Sequence, residues 1–469
     1  MKFFRSTIIL FVVAVIAGFS YWYFIVKKGR EKEEAEKEAA YLFEITDKGI
    51  ARIILREKGK TPIELEKEVV IERTEGEEEK KVDKWHILSP VVTEGDSTSV
   101  SGLVDILKES KKEEVVWESL EKKSEYGLDD PDLSIEFVYE GEQELQGIDF
   151  GIENITHTKV FAAVRGKSSI YAVPVSLRNS LQKSLLDLRD KTICPYSFED
   201  IDGVTYVSPV DTFRIEKEGE DWYFVPERVK ASSTRMEIFT GTLRWGDFVE
   251  VTRERSEVED FKKYGFTAPR MILNFKISDG SNYLFMVGDY ETENNARFYY
   301  ATRSSDSMIF TINEDLISRL LKTRFELKDR SIFPNVMIDN VIEVQLERSG
   351  TVYSFRKEGE DWAFADTGET LWRDYKIDNI VRGVVTAEYE ELEPLRRGES
   401  GFEETGIDNP AYTITLNLKD GSSPVVVHMT EKDQETNKIW LTLDAGNTAY
   451  YTSGYFLANW PESREELLE

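Results

Sequence analysis

Three histidines, His86, His157 and His428, are the chain's imidazoles among 469 residues. A zinc site or a general base would need one of them beside carboxylates or further ligands at fixed spacing, as HExxH sets two ligands on one helix face. No such spacing surrounds them. His86 aligns with Tyr223 and Ala363 of later repeats and His428 with Val287, so neither is a shared position. Two loops, Gly59-Lys60-Thr61 and Gly166-Lys167-Ser168, carry the end of a phosphate-binding loop. That loop also needs a glycine five positions before its second glycine, so that backbone N–H groups can wrap the phosphate. Ile54 and Phe161 stand there, which makes both segments turns between strands. Ser180-Leu181-Gln182-Lys183 has the SxxK spacing of a lysine-activated serine, without the partner motifs that complete such a site. Asp129, Asp130 and Asp132 offer oxygen ligands, but calcium takes six to eight at defined spacing, and turn chemistry accounts for them. Cys194 is the single cysteine, so an intramolecular disulfide and a cysteine-based zinc site are both excluded. The expectation is a chain with no catalytic, cofactor-binding or metal-binding residue, and not an enzyme.

The elements that would have to position such residues form a repeat. A tryptophan strand recurs at Trp85, Trp222 and Trp362, spaced 137 and 140 residues apart. A turn recurs as EYGLDDP (125–131), KYGFTAP (263–269) and ETGIDNP (404–410), and KEGEDW occurs at 217–222 and 357–362. Glycine closes a turn in the left-handed region, and proline soon after forbids helix continuation. KEGEDW reads as a hairpin turn feeding a strand whose tryptophan points inward. Between these markers each copy has a helix with apolar residues at i, i+3, i+4 and i+7: Val100, Leu103, Val104, Leu107; Met236, Phe239, Thr240, Leu243; Ile377, Ile380, Val381, Val384. After the turn come strand-like runs, for example Leu133–Tyr139, and then a closing helix (Leu177, Leu181, Leu186, Leu188; Leu316, Leu320, Phe325, Leu327). The junctions DLRDK (187–191) and ELKDR (326–330) mark the boundaries. The fold class expected is α+β: three tandem β-rich repeats of order ββ-α-ββββ-α, over 41–191, 192–330 and 331–469. Copy three breaks off at Trp460-Pro461, as a capping repeat does. Copy one holds a Glu/Lys-rich insertion at about 66–82, read as an extended hairpin tip or mobile loop.

Net charge is −29, and 40% of residues are hydrophobic. The excess of acid argues against nucleic acid, which is bound through lysine and arginine. Residues 7–26 carry no charge. At ~1.5 Å per residue they span about 30 Å, the thickness of a bilayer's hydrocarbon core. Tyr21, Trp22 and Tyr23 sit where amphipathic rings favour the interface. The run is longer than a cleaved signal's apolar region and lacks a clean small-x-small site beforehand. An uncleaved, single-pass anchor into the lipid bilayer is expected, with a tail at 1–6 and a charged helical stalk at 27–40. Counting Lys2 and Arg5 against Lys27, Lys28, Arg30, Lys32 and Lys37 points the body inward. The stalk's lysines are interleaved with glutamates, however, and long domains translocate with little regard to such charge, so an exported body is favoured. Cys194 lies far too late to carry a lipoprotein anchor.

The anchor, Trp85, Tyr126-Gly127-Leu128 with Pro131, and Leu188-Arg189-Asp190-Lys191 together resemble the DUF4340 family, a bacterial domain of unknown function. The resemblance covers about 41–330 well; in copy three Thr405-Gly406-Ile407 departs from it. It implies an accessory of ABC-type export systems related to gliding-motility transporters, beside a permease and a second anchored auxiliary subunit. The functional expectation is therefore a membrane-anchored accessory or scaffold protein in the periplasm, held in the inner membrane and acting by protein binding. An envelope enzyme with a cleft between modules and a purely structural spacer are the alternatives.

Overall fold

The structure, a computed structural model, describes residues 21–23, 41–43, 48–72, 80–112, 114–443 and 446–468. The tail, the stalk and all of the expected anchor except Tyr21, Trp22 and Tyr23 lie outside them. Among the described residues no helix is long and apolar enough to cross a membrane. The chain divides into two compact units, Met1–Arg214 with Glu237–Lys322, and Ile215–Met236 with Thr323–Glu469.

Among the described residues three antiparallel sheets follow one another along the chain, of nine, nine and eight strands. The first runs, edge to edge, Thr93–Glu94, Lys80–Ser89, Ile63–Glu72, Ile50–Glu57, Leu133–Tyr139, Gln146–Glu153, Lys159–Val164, Ile170–Pro174 and Glu114–Trp117. Ile50–Glu57 lies inside the sheet, paired with Ile63–Glu72 on one side and Leu133–Tyr139 on the other. Its consecutive buried residues Ile53, Ile54 and Leu55 suit that position. The strand after the helix, Glu114–Trp117, crosses to the far edge. Helix Ser97–Glu109 starts at Asp96, whose carboxylate accepts the Ser99 N–H at 2.6 Å. Its buried Val100, Leu103 and Leu107 share one core with Trp85, Leu181 and Leu188. The matching faces of the later helices are buried too, including all four residues named in each.

Two details differ from the expected order. Extra strands such as Thr93–Glu94 and Glu114–Trp117 are two and four residues long, too short to show alternation in the sequence. The closing helix of copy one is two helices, Val175–Leu181 and Leu185–Leu188, because Ser184 caps the second with Asp187 in a capping box. Copy two repeats this split with Thr323 and Glu326. The insertion is not a loose loop where it is described. It lengthens the hairpin of Ile63–Glu72 and Lys80–Ser89, with Val70 facing Val82, while 73–79 lie outside the described residues. Copy three ends in 3₁₀ turns that send Phe456, Leu457, Trp460 and Leu467 into its core.

The Tyr-Gly turn has a structural partner that the sequence does not announce. Gly127 and Gly265 are left-handed, with φ of 70° and 84°. The Tyr126 carbonyl oxygen stands where a Cβ on Gly151 would be, and that of Tyr264 where a Cβ on Gly288 would be. The Asp289 N–H donates to the Tyr264 carbonyl at 2.8 Å. In copy three Thr430 holds the matching place, and a Cβ on Gly406 would meet nothing within 4 Å. The strand glycine and the tyrosine turn therefore go together. Gly151→Ala should cost about 1–3 kcal/mol by forcing the turn away, read as a lowered melting temperature; an unchanged one refutes this packing.

Candidate functional site

The histidines stand apart. His86 lies on the first sheet with Nε2 2.9 Å from Glu68 and Nδ1 3.0 Å from Glu94. His157 sits in an exposed turn, Nδ1 2.7 Å from Glu153. Hydrogen bonds from His157 and Arg178 hold the Glu153 carboxyl below the usual range. His428 is on the third sheet, 3.2 Å from the Thr413 hydroxyl. Pairing of His428 with Thr413, and of Met286 with Ile272, aligns His428 with Met286, not Val287. Asp129 and Asp130 point to separate lysines, Lys123 at 3.0 Å and Lys58 at 2.6 Å. Among the described residues no three His, Cys, Asp or Glu are grouped to hold a metal ion.

Cys194 is buried, and burial pushes its thiol up to about 11. The folded state therefore holds this proton more tightly than the unfolded state. The resulting stability is complete below the ordinary thiol range and is lost as pH rises toward 11. Native protein at pH 8 should leave Cys194 unalkylated by iodoacetamide, and unfolding should expose one thiol per chain; rapid native labelling would contradict this burial.

Two of the sequence's motif fragments do meet. Gly59, Lys60 and Thr61 line one cavity of about 440 Å³ with Lys183, Ser184, Leu55, Ile63 and Leu133. The serine and one lysine of this lining are engaged within the chain. The Ser184 hydroxyl donates to Asp187 at 2.6 Å, and Lys60 pairs with Glu57 at 2.9 Å. Ser180 lies outside it and lines a different cavity.

One repeated motif, DLRDK (187–191) and ELKDR (326–330), forms the junctions. At the first, Asp190 N–H donates to the Glu94 carbonyl at 2.9 Å and Phe248 N–H to the Lys191 carbonyl at 3.2 Å. Isolated bridges join Arg189 to Gly95 and Thr192 to Asp247. The linker is thus stitched to the module before and the module after. The Asp190 carboxylate accepts the Thr192 N–H at 2.8 Å. Arg189, with a side chain 4% exposed, reaches Glu254 at 2.8 and 3.2 Å and lies over the Phe248 ring. The second junction repeats the backbone pattern: Lys328 bridges Ala231, Ser331 bridges Glu388, and Asp329 accepts the Ser331 N–H at 3.1 Å. Here Glu388 takes Arg235 and, at 3.8 Å, Arg330. Bridge pairing matches Glu388 to Asp247, so the acid of the first junction, Glu254, comes from a different position. DLRDK and ELKDR were legible as boundaries. Their acid partners were not, because those lie outside any shared motif.

A family model described as a domain of unknown function, DUF4340, matches residues 85–251 and again 247–410. Each matched stretch starts in one module, passes through one junction and ends in the next. No curated protein and no solved structure matches the chain.

Proposed function

Because the chain belongs to the DUF4340 family, whose function is unknown, we propose its role from what its modules repeat: a membrane-anchored extracytoplasmic accessory or scaffold protein that acts by binding other proteins. The observation that carries this reading is the junction. The repeated residues serve core, turn and module coupling, and both matched stretches include a linker pinned on each side. A chain selected for coupled modules presents surfaces at fixed spacing within each unit. Large side chains for such surfaces are available, since Trp245 and Trp372 stand 69% and 76% exposed. The charge-free run at 7–26 is the anchor in this proposal, with the body in the periplasm and the partners an ABC-type permease and a second anchored auxiliary subunit.

Crosslinking with mass spectrometry on intact membranes tests the partners. Crosslinks to a permease and an anchored subunit are expected; recovery of no membrane protein above background overturns the accessory role. A C-terminal reporter tests the topology, and activity of a reporter that works in the cytosol alone overturns the exported body.

A further inference from the structure

One place in the fold is filled by aromatic rings in module two and left open in module one. In module two, Tyr206 stacks on Phe213 at 4.6 Å and meets Phe239 edge-on at 5.7 Å. The Tyr206 hydroxyl donates to the Leu320 carbonyl at 3.1 Å and accepts the Lys322 N–H at 3.2 Å. Those backbone groups are freed where the closing helix breaks in two.

Strand pairing gives the counterparts. Tyr206 faces Leu273 as Leu55 faces Ile135, and Ile63 lies across the hairpin from Leu55. On the helix, Leu103 matches Phe239. Module one therefore sets three aliphatic side chains where module two has three rings. Module three places Tyr412 at the position of Leu133, with its ring edge-on to Trp460 at 4.8 Å. In module one two of the three aliphatic side chains, Leu55 and Ile63, line with Leu133 the cavity of about 440 Å³. The Lys183 N–H, counterpart of the Lys322 N–H, meets no acceptor among the described residues. A hollow with apolar walls at Leu55, Ile63 and Leu133, a polar rim that includes Glu57, Lys60 and Lys183, and one unspent donor has the make-up of a small-ligand site.

We propose that this cavity of module one binds a single hydroxylated aromatic ring of the size of a tyrosine side chain. The ring packs on Leu55, Ile63 and Leu133, and its oxygen takes the Lys183 N–H, as the Tyr206 ring and hydroxyl do in module two. The proposal stands independently of the accessory role. The ring is either a free phenol or a tyrosine side chain of another polypeptide.

The test is methyl NMR on the full chain, labelled at Ile, Leu and Val, titrated with p-cresol, toluene and N-acetyl-tyrosinamide. Saturable shifts are expected at Leu55, Ile63 and Leu133, with p-cresol about fivefold tighter than toluene, the factor one neutral hydrogen bond supplies. Leu55→Tyr should abolish them by supplying the missing ring, while the methyls of Val204 and Leu273 in module two report that the chain is folded. If that variant fails to fold, Ile63→Phe fills the hollow from the other side. N-acetyl-tyrosinamide binding as tightly as p-cresol assigns the ring to a polypeptide, and binding by p-cresol alone assigns it to a free phenol. No saturable shift with either, or shifts that persist in a folded filled variant, overturns the proposal.

Discussion

Trp362→Ala is expected to remove about 3–5 kcal/mol from the third sheet, the cost of deleting a large aromatic side chain from a packed core. Trp362 is 1% exposed and shares its core with Phe355, Phe364 and Ile380. Its indole N–H donates to the Asp378 carboxylate on helix Tyr375–Val385 at 2.8 Å. The ring therefore ties strand Asp361–Phe364 to the helix through packing and one charge-assisted hydrogen bond. Whole domains hold about 5–15 kcal/mol, so the loss is a large fraction of the total. Trp362→Phe keeps most of the packing and gives up the bond; Asp378 is near water, so the cost should be about 1–2 kcal/mol. Hydrogen exchange separates the two. Trp362→Ala should lower protection in Val341–Arg348 and Tyr412–Leu418, with the strands of module one as internal control. A loss below about 1 kcal/mol would show that the tryptophan is not a core anchor.

The repeat was legible because its markers are strong local chemistry. Trp85, Trp222 and Trp362 all lie in cores, 3%, 0% and 1% exposed, as an inward-pointing strand residue should. The helix faces were legible for the same reason: a 3.6-residue period survives any tertiary context. Topology was harder to see. Nothing in Ile50–Glu57 says that its second partner is Leu133–Tyr139, which follows only after a helix and a crossing strand. The helix break at Ser184 could have been read from Ser-x-x-Asp, and at Thr323 from Thr-x-x-Glu, but the leucine periodicity runs through both and masks them. The hollow of module one could not be read at all. Leu55 and Ile63 are ordinary strand residues, and they acquire meaning only when structure aligns them with Tyr206 and Phe213 across an insertion that breaks the period.

Glu254→Gln should destabilise the first junction more than Arg189→Met does, although the two substitutions break the same pair. Arg189 is nearly fully enclosed, whereas the Glu254 side chain is 36% exposed. Removing the acid leaves a guanidinium in a dry site with no carboxylate, and an uncompensated buried charge is costly. Removing the arginine leaves a carboxylate that water can reach, while methionine refills much of the space over Phe248. The Arg189 Nε already has no hydrogen-bond partner among the described residues, so they do not satisfy the guanidinium fully. Glu254→Gln is expected to cost about 2–3 kcal/mol, below the full buried-pair penalty because one member is near solvent, and Arg189→Met about 1 kcal/mol or less. Limited proteolysis across 188–194 and a melting series on both variants and their double mutant provide the measurement. In the double mutant the buried charge is gone, so its stability should return close to that of Arg189→Met alone. Equal costs for the two single substitutions, or a double mutant as unstable as Glu254→Gln, would mean that the junction is held by its backbone bridges at Gly95 and Asp247 and that the ion pair adds nothing.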